Sequence, residues 1–366
     1  MSELQRLSPA RLALAPVVAV ILLAMFLVGR SASAVTYTVI HDLATLAQGS
    51  TVVVRGPNGA GTAVGGGRVA GERRGLLFTR GGLQEISGLS GGSDYTTIFG
   101  INDVGDVVGG SNTATAVRAF RSTQAGGTRE LPPLADDTAS TAFAVNKPGQ
   151  AVGFSSGSGG EHAVLWAADG TVTALPGTSG AQTSRALGIN ERGDVVGAWD
   201  TGSGLRAILW PGGGAARDLG TPPGQTTSEA VAVNARGDIV GYSADATGAR
   251  RATLWQSGGG ILDLGTLPGG DFSRALGIND AGDIVGTSTS SFGSRAFIWT
   301  PIAGLQDLND LIVPSSFVLT QAVGINTAGV IVAIGRDAGD EAGTAGHEPH
   351  EFPVRVLLLL RSGVQP

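Results

Sequence analysis

Seven times along the chain the pattern Asn-x-x-Gly-x-(x)-Val-Gly returns, anchored at Asn58, Asn102, Asn146, Asn190, Asn234, Asn279 and, more loosely, Asn326. The steps between anchors are 44, 44, 44, 44, 45 and 47 residues. So regular a spacing restricts the chain to repeat architectures, in which each unit buries its apolar face on its neighbours.

The unit carries more than its anchor. About sixteen residues after each Asn stands a basic residue, usually followed by Ala: Arg74, Arg118, His162, Arg206, Arg251, Arg295. Four residues further is an aromatic slot filled by Phe78, Trp166, Trp210, Trp255 and Trp299. Asp-Leu follows at Asp218-Leu219, Asp263-Leu264 and Asp307-Leu308, and then a Gly/Pro-rich turn. In the unit spanning 272–308, Ala275–Ile278 reads as a short apolar strand and Asn279–Gly282 as a tight turn. In that turn Asn caps its own backbone and Gly supplies positive φ. Three more strands follow at Asp283–Thr287, Arg295–Trp299 and Leu305–Leu308. Helical periodicity is absent.

Four short antiparallel strands in a unit of about 40–45 residues make a propeller blade. The expected fold is therefore all-β, a seven-bladed β-propeller. The first strand of each blade lies innermost, where Gly and small residues suit the crowded axis. The aromatic slot fills the wedge between neighbouring blades. Thr36–Leu43 carries Asp42-Leu43, the strand-four motif, sixteen residues before its anchor, as Asp218 stands before Asn234. Val354–Leu360 reads as a strand three with no fourth strand after it. The N-terminal strand is thus expected to complete the last blade.

Residues 1–34 read as a signal peptide. Arg6 and Arg11 precede the apolar run Leu12–Val28, and Ala32-Ser33-Ala34 offers a cleavage site; an uncleaved membrane anchor is the alternative. Residues 35–366 form one propeller domain, expected to be secreted, extracellular or periplasmic, and monomeric. A net charge of −6 does not draw the chain to nucleic acid or to an anionic membrane. With 42 % hydrophobic residues the chain can bury a core despite its 60 Gly. The chain has no Cys, so it has no disulfide, thiolate metal site or Cys nucleophile.

The units resemble the bacterial extracellular repeat, HAF family, named for a His-Ala-Phe strand. The residues that carry the likeness are Arg295-Ala-Phe-Ile-Trp299, His162-Ala-Val-Leu-Trp166 and Arg118-Ala-Phe120, together with Asp263-Leu-Gly-Thr-Leu-Pro-Gly-Gly270 and Gly277-Ile-Asn-Asp-Ala-Gly-Asp-Ile-Val-Gly286. Arg replaces His in most copies. The resemblance covers essentially the mature chain. It implies secretion and a repeat fold, and it carries no activity or catalytic residues.

Catalytic signatures are missing. There is no Gly-x-Ser-x-Gly elbow, and no carboxylate pair stands apart from the repeat. No catalytic residue and no cofactor is expected. The acidic Asn-turns offer too few oxygens for calcium and read as structural turns. The basic residues opening strand three read as cross-strand partners of Asp106, Asp194, Asp238 and Asp283. His41 reads as a packed or edge histidine. The enlarged loop at about 336–353 holds His347 and His350, a weak metal candidate beside the reading of an acidic loop. Binding is expected on the face that carries the loops between strands two and three and between blades. The candidates are Tyr95, Trp199, Asp200, Tyr242, Asp245, Phe272 and Phe292, aromatics beside carboxylates that could stack on a sugar. The expected function is a non-catalytic extracellular binding or scaffold module for a glycan or protein. A propeller-based glycan-active enzyme and a structural envelope or matrix component are the alternatives.

Overall fold

A computed structural model describes residues 35–46, 53–69, 72–90, 95–176, 183–312, 316–338 and 354–362. The expected signal peptide and the loop with His347 and His350 lie outside the described residues. Seven four-stranded antiparallel sheets form a seven-bladed β-propeller. Each blade has its strands in simple meander order, and blade 1 begins at Val53 and blade 6 ends at Asp307.

Blade 7 is assembled from both ends of the chain. Tyr37–Leu46 pairs antiparallel with Val354–Arg361, which in turn pairs with Ile331–Asp337 and so reaches Phe317–Ile325. The closing strand is held by its side chains as well. Tyr37 and Leu43 are buried, and Arg355 donates to Asp42 at 2.5 Å. Arg355 is the basic residue of this blade, displaced along the sequence by the long loop before it. Its partner Asp42 is the Asp of the strand-four motif. The same pair occurs within single repeats as Arg206–Asp218 at 3.1 Å and Arg295–Asp307 at 4.0 Å.

The anchor turns form as the sequence dictates. Asn234 N–H donates to Asp238 O at 3.0 Å, and Gly237, at φ +88°, donates to Asn234 O at 3.1 Å. The Asn234 Oδ1 accepts from the N–H groups of Arg236 and Asp238 at 3.0 and 2.9 Å. The amide nitrogen of the same side chain then crosses to the next blade. Asn58, Asn102, Asn146, Asn190 and Asn234 each donate to the main-chain oxygen of the following anchor at 2.9–3.2 Å. Asn326 donates to Asn58 O at 3.0 Å, so the girdle runs across the chain closure. All seven anchors are buried.

Blades are joined at the opposite end of the inner strands by buried Ser. Ser140, Ser184, Ser228 and Ser273 each accept the N–H of the Ala after the strand-three basic position of the preceding blade, at 2.8–3.0 Å. Between these two hydrogen-bonded ends lie apolar clusters that bridge adjacent blades. One joins Val108, Ala119 and Leu131 of blade 2 to Val164 and Trp166 of blade 3. The Trp side chains also donate backwards: Trp166 to Pro132 O at 2.7 Å, Trp210 to Pro176 O at 3.0 Å and Trp255 to Gly220 O at 3.1 Å. The core thus lies between blades, and Trp166, Trp210 and Trp255 fill apolar space there while their single donors are satisfied.

Candidate functional site

The inner strands surround a central channel with a cavity of about 670 Å³. A repeated irregularity falls among the side chains that face it. Strand one carries a β-bulge three residues before the anchor in blades 2 to 7, so Phe99, Phe143, Leu187, Val231, Leu276 and Val323 are skipped in the register with strand two. A bulged residue is left unpaired, and all six line the channel. The last residue before each anchor lines the turn end: Ile101, Val145, Ile189, Val233, Ile278 and Ile325, with Pro57 in blade 1. Two apolar belts result.

The close approach of strand one explains the Gly of Val-Gly: on Gly65, in a blade whose described strand one pairs without a shift, a Cβ would lie 1.8 Å from Val53 O. A Cβ on Gly109, Gly153, Gly197 or Gly241 would lie 1.9–2.0 Å from a strand-one carbonyl oxygen. Blade 7 has Ala333 at this place, and its strand one carries a second register shift.

The far end of the channel is charged. Five residues before the anchors stand Thr97, Thr141, Arg185, Glu229, Arg274 and Gln321. Of these, Arg185, Glu229 and Arg274 line the channel, with Arg55 added from blade 1. Arg274 donates to Glu229 at 3.1 Å and its guanidinium lies 5.3 Å from the Tyr242 ring centroid. Arg250 lies 4.4 Å from the same centroid. Arg185 makes a two-pronged contact with Glu161, one prong at 2.8 Å, and sits 5.3 Å from the Phe154 ring. Phe154 packs on Phe143 at 5.7 Å, and Phe143 on Phe99 at 5.3 Å. Burial first, opposed by the flanking guanidiniums, raises the Tyr242 phenol above its ordinary pKa; Glu229 adds to the rise.

The seven residues expected on the loop face are spread over blades 2, 4, 5 and 6 and its loops. Phe292 is 74 % exposed beside Arg295. Tyr95 is half-buried under Arg73 at 5.5 Å. Trp199 ends strand two half-buried against the blade 4 cluster. Asp200 and Asp245 cap their own loops through the N–H groups of Gly202 and Thr247, both at 2.8 Å. Phe272 is half-buried just before strand one of blade 6. Tyr242 is buried, and it is the one of the seven whose side chain touches the charged channel end.

The basic residues opening strand three do not pair with Asp106, Asp194, Asp238 or Asp283. In an antiparallel hairpin the start of strand three faces the end of strand two, so Arg118 lies opposite Ser111. Its acid is Glu130 on strand four, at 3.4 Å. Asp106, at the turn end, is held instead by Arg121 at 2.5 Å. The turn acids are likewise occupied within the scaffold. Asp103, Glu191 and Asp280 accept N–H groups of the preceding blade's turn at 2.6, 3.0 and 2.8 Å. His41 meets the Arg80 carbonyl oxygen of blade 1 at 2.5 Å, a packed histidine at the closure.

No family model matches the chain, and no curated protein matches it. Solved structures share the architecture. A streptogramin B lyase is 12 % identical, covering 89 % of this chain and 96 % of that one, with a TM-score of 0.50. Virginiamycin B lyase from Staphylococcus aureus is 11 % identical over 88 % and 98 %, at 0.49. The β-propeller domain of the Trilobed protease from Pyrococcus furiosus is 11 % identical over 85 % and 93 %, also at 0.49. Likeness at such identities concerns the fold alone.

Proposed function

We propose that this propeller is a secreted, non-catalytic binding module of the HAF type. It recognises an extracellular glycan or protein on the face where the strand-two-to-three loops and the charged channel end open together. One observation carries this reading. The unit is nearly constant at its turn end, yet five residues before the anchor it carries Val53, Thr97, Thr141, Arg185, Glu229, Arg274 and Gln321. A position used only for folding would recur like the anchor does; divergence at one end of one strand marks a place where the units do different work.

Glycan arrays and pull-down from the extracellular milieu with the purified protein test it. Arg185→Ala and Phe292→Ala alter that face without touching the inter-blade wedges. Each is expected to weaken ligand capture at least about tenfold while Tm stays put, as befits an exposed ion pair worth about 0–1 kcal/mol. Capture unaffected by both variants would place recognition elsewhere. Absence of any ligand would favour a matrix component, and turnover of a bound glycan an enzyme.

A further inference from the structure

Three residues before the anchor, six units carry an apolar side chain and the seventh carries Arg55. In all six a register shift skips that residue and it lines the channel, and Arg55, paired with Val64, lines the same cavity. Its guanidinium donates to the neighbouring Val54 carbonyl at 3.0 Å. Among the described residues no carboxylate pairs with it, whereas Arg185 has Glu161 and Arg274 has Glu229. Of the three cations that line the cavity, Arg55 is the one without a carboxylate partner among the described residues. Burial first, and the charge of Arg274 second, lower the Arg55 pKa from its ordinary value. Both effects mark an environment in which the cation lacks a counter-charge. An uncompensated guanidinium beside an apolar belt costs folding free energy that a repeat could avoid with the Leu or Val used in other blades.

We infer that the channel binds a small monocarboxylate with an apolar body. The carboxylate is held by the Arg55 fork in the field of Arg274, and the body lies along Phe99, Phe143 and the belt at the turn end. The inference rests on the reading of the charged channel end as the binding end. The planar five-donor guanidinium matches a carboxylate in two-pronged fashion. One unpaired guanidinium in the lining matches one negative charge; a phosphate monoester brings nearly two at neutral pH. A free sugar would need hydrogen-bonding side chains along a wall that is apolar below the mouth. The cavity, about 670 Å³, lies in the range of small-molecule sites, roughly 300–1,000 Å³.

Isothermal titration calorimetry with 4-phenylbutyrate, its neutral counterpart 4-phenylbutan-1-ol and phenyl phosphate tests the inference on the purified protein. The acid is expected to bind at least about tenfold more tightly than the alcohol and than phenyl phosphate. Arg55→Gln is expected to erase that preference while Tm holds or rises, since the substitution removes a buried cation that no carboxylate offsets. Equal binding of acid and alcohol, tighter binding of phenyl phosphate, no binding of any probe, or an unaltered preference in Arg55→Gln would each overturn it. A glycan or protein captured equally by wild type and Arg55→Gln, with no response to phenylbutyrate, would leave the binding-module reading standing and remove this one.

Discussion

At the scale of single residues, the anchor Asn does two jobs with one side chain. Its oxygen closes its own turn and its nitrogen ties the turn to the next blade, which is why Asp, a good turn residue without the donor, does not replace it. The turn role was legible in the sequence from Asn-x-x-Gly. The girdle was not, because it joins residues 44 apart through a main-chain atom that leaves no mark on composition. Tyr37 illustrates a different residue-level effect. It is buried at the start of the closing strand, and burial, with the charge of Asp283, pushes its pKa up to about 12 against the nearby Arg361. The unfolded chain releases this proton near pH 10 and the folded chain near 12, so between those values the folded state holds more protons. Stability is then full below pH 10 and falls as pH rises toward 12, by up to about 3 kcal/mol for this group. Urea midpoints measured from pH 9 to 12 are expected to fall less steeply in Tyr37→Phe than in wild type; Tyr242, also raised, leaves a residual slope in both. Parallel curves would show that Tyr37 does not titrate with folding.

At the scale of the strand, the bulge is the feature that the residue pattern does not announce. Strict alternation assigns Ala142, Phe143 and Ala144 to alternate faces, but the register skips Phe143 between Ala142 and Ala144. The skipped aromatic lines the channel, and the strand-one carbonyl comes within 1.9 Å of where a Cβ on Gly153 would stand. The site itself was hard to find for a related reason. Folding constraints recur from unit to unit, and Arg55, Arg185, Glu229 and Arg274 are where recurrence stops. Comparing the units column by column, at the position five before each anchor, would have found three of the four. The dependence of this close approach on glycine is open to measurement. Gly241→Ala places a Cβ 1.9 Å from the Glu229 carbonyl oxygen, which must move with its whole strand. A loss of about 1–3 kcal/mol or more is expected in chemical denaturation, as for other overpacked sites. Gly258→Ala serves as the reference, because a Cβ there meets nothing within 4 Å. Similar effects at the two positions would mean that the bulge tolerates a side chain and that Gly is kept for another reason.

At the scale of the whole ring, stability depends on two segments from opposite ends of the chain meeting in one sheet. The sequence made this legible because Asp42-Leu43 is a strand-four motif without a preceding strand three. Arg355 joins Asp42 across 313 residues. That is the most distant pairing of a motif which elsewhere spans twelve, as from Arg206 to Asp218. Removing residues 35–46 strips Val354–Arg361 of its outer neighbour and leaves Val356–Leu360, all buried in the closed ring, along an unpaired edge. An apolar edge of that kind pairs with other chains, so aggregation and a lower Tm are expected. Aggregation alone would not separate loss of closure from loss of a favourable segment. A permuted chain does separate them. Joining Tyr37–Leu46 after Arg361 through a short Gly-containing turn recreates the continuous strand-three-to-four hairpin of blades 1 to 6. The permuted protein is expected to be monomeric by sedimentation, with a Tm close to that of the parent. It should also fold faster, because a local hairpin replaces the longest loop closure in the chain. A truncated protein that stays monomeric with unchanged Tm would show that the other six blades and the anchor girdle hold the ring by themselves. The N-terminal strand would then be an ornament of blade 7 and not its closure.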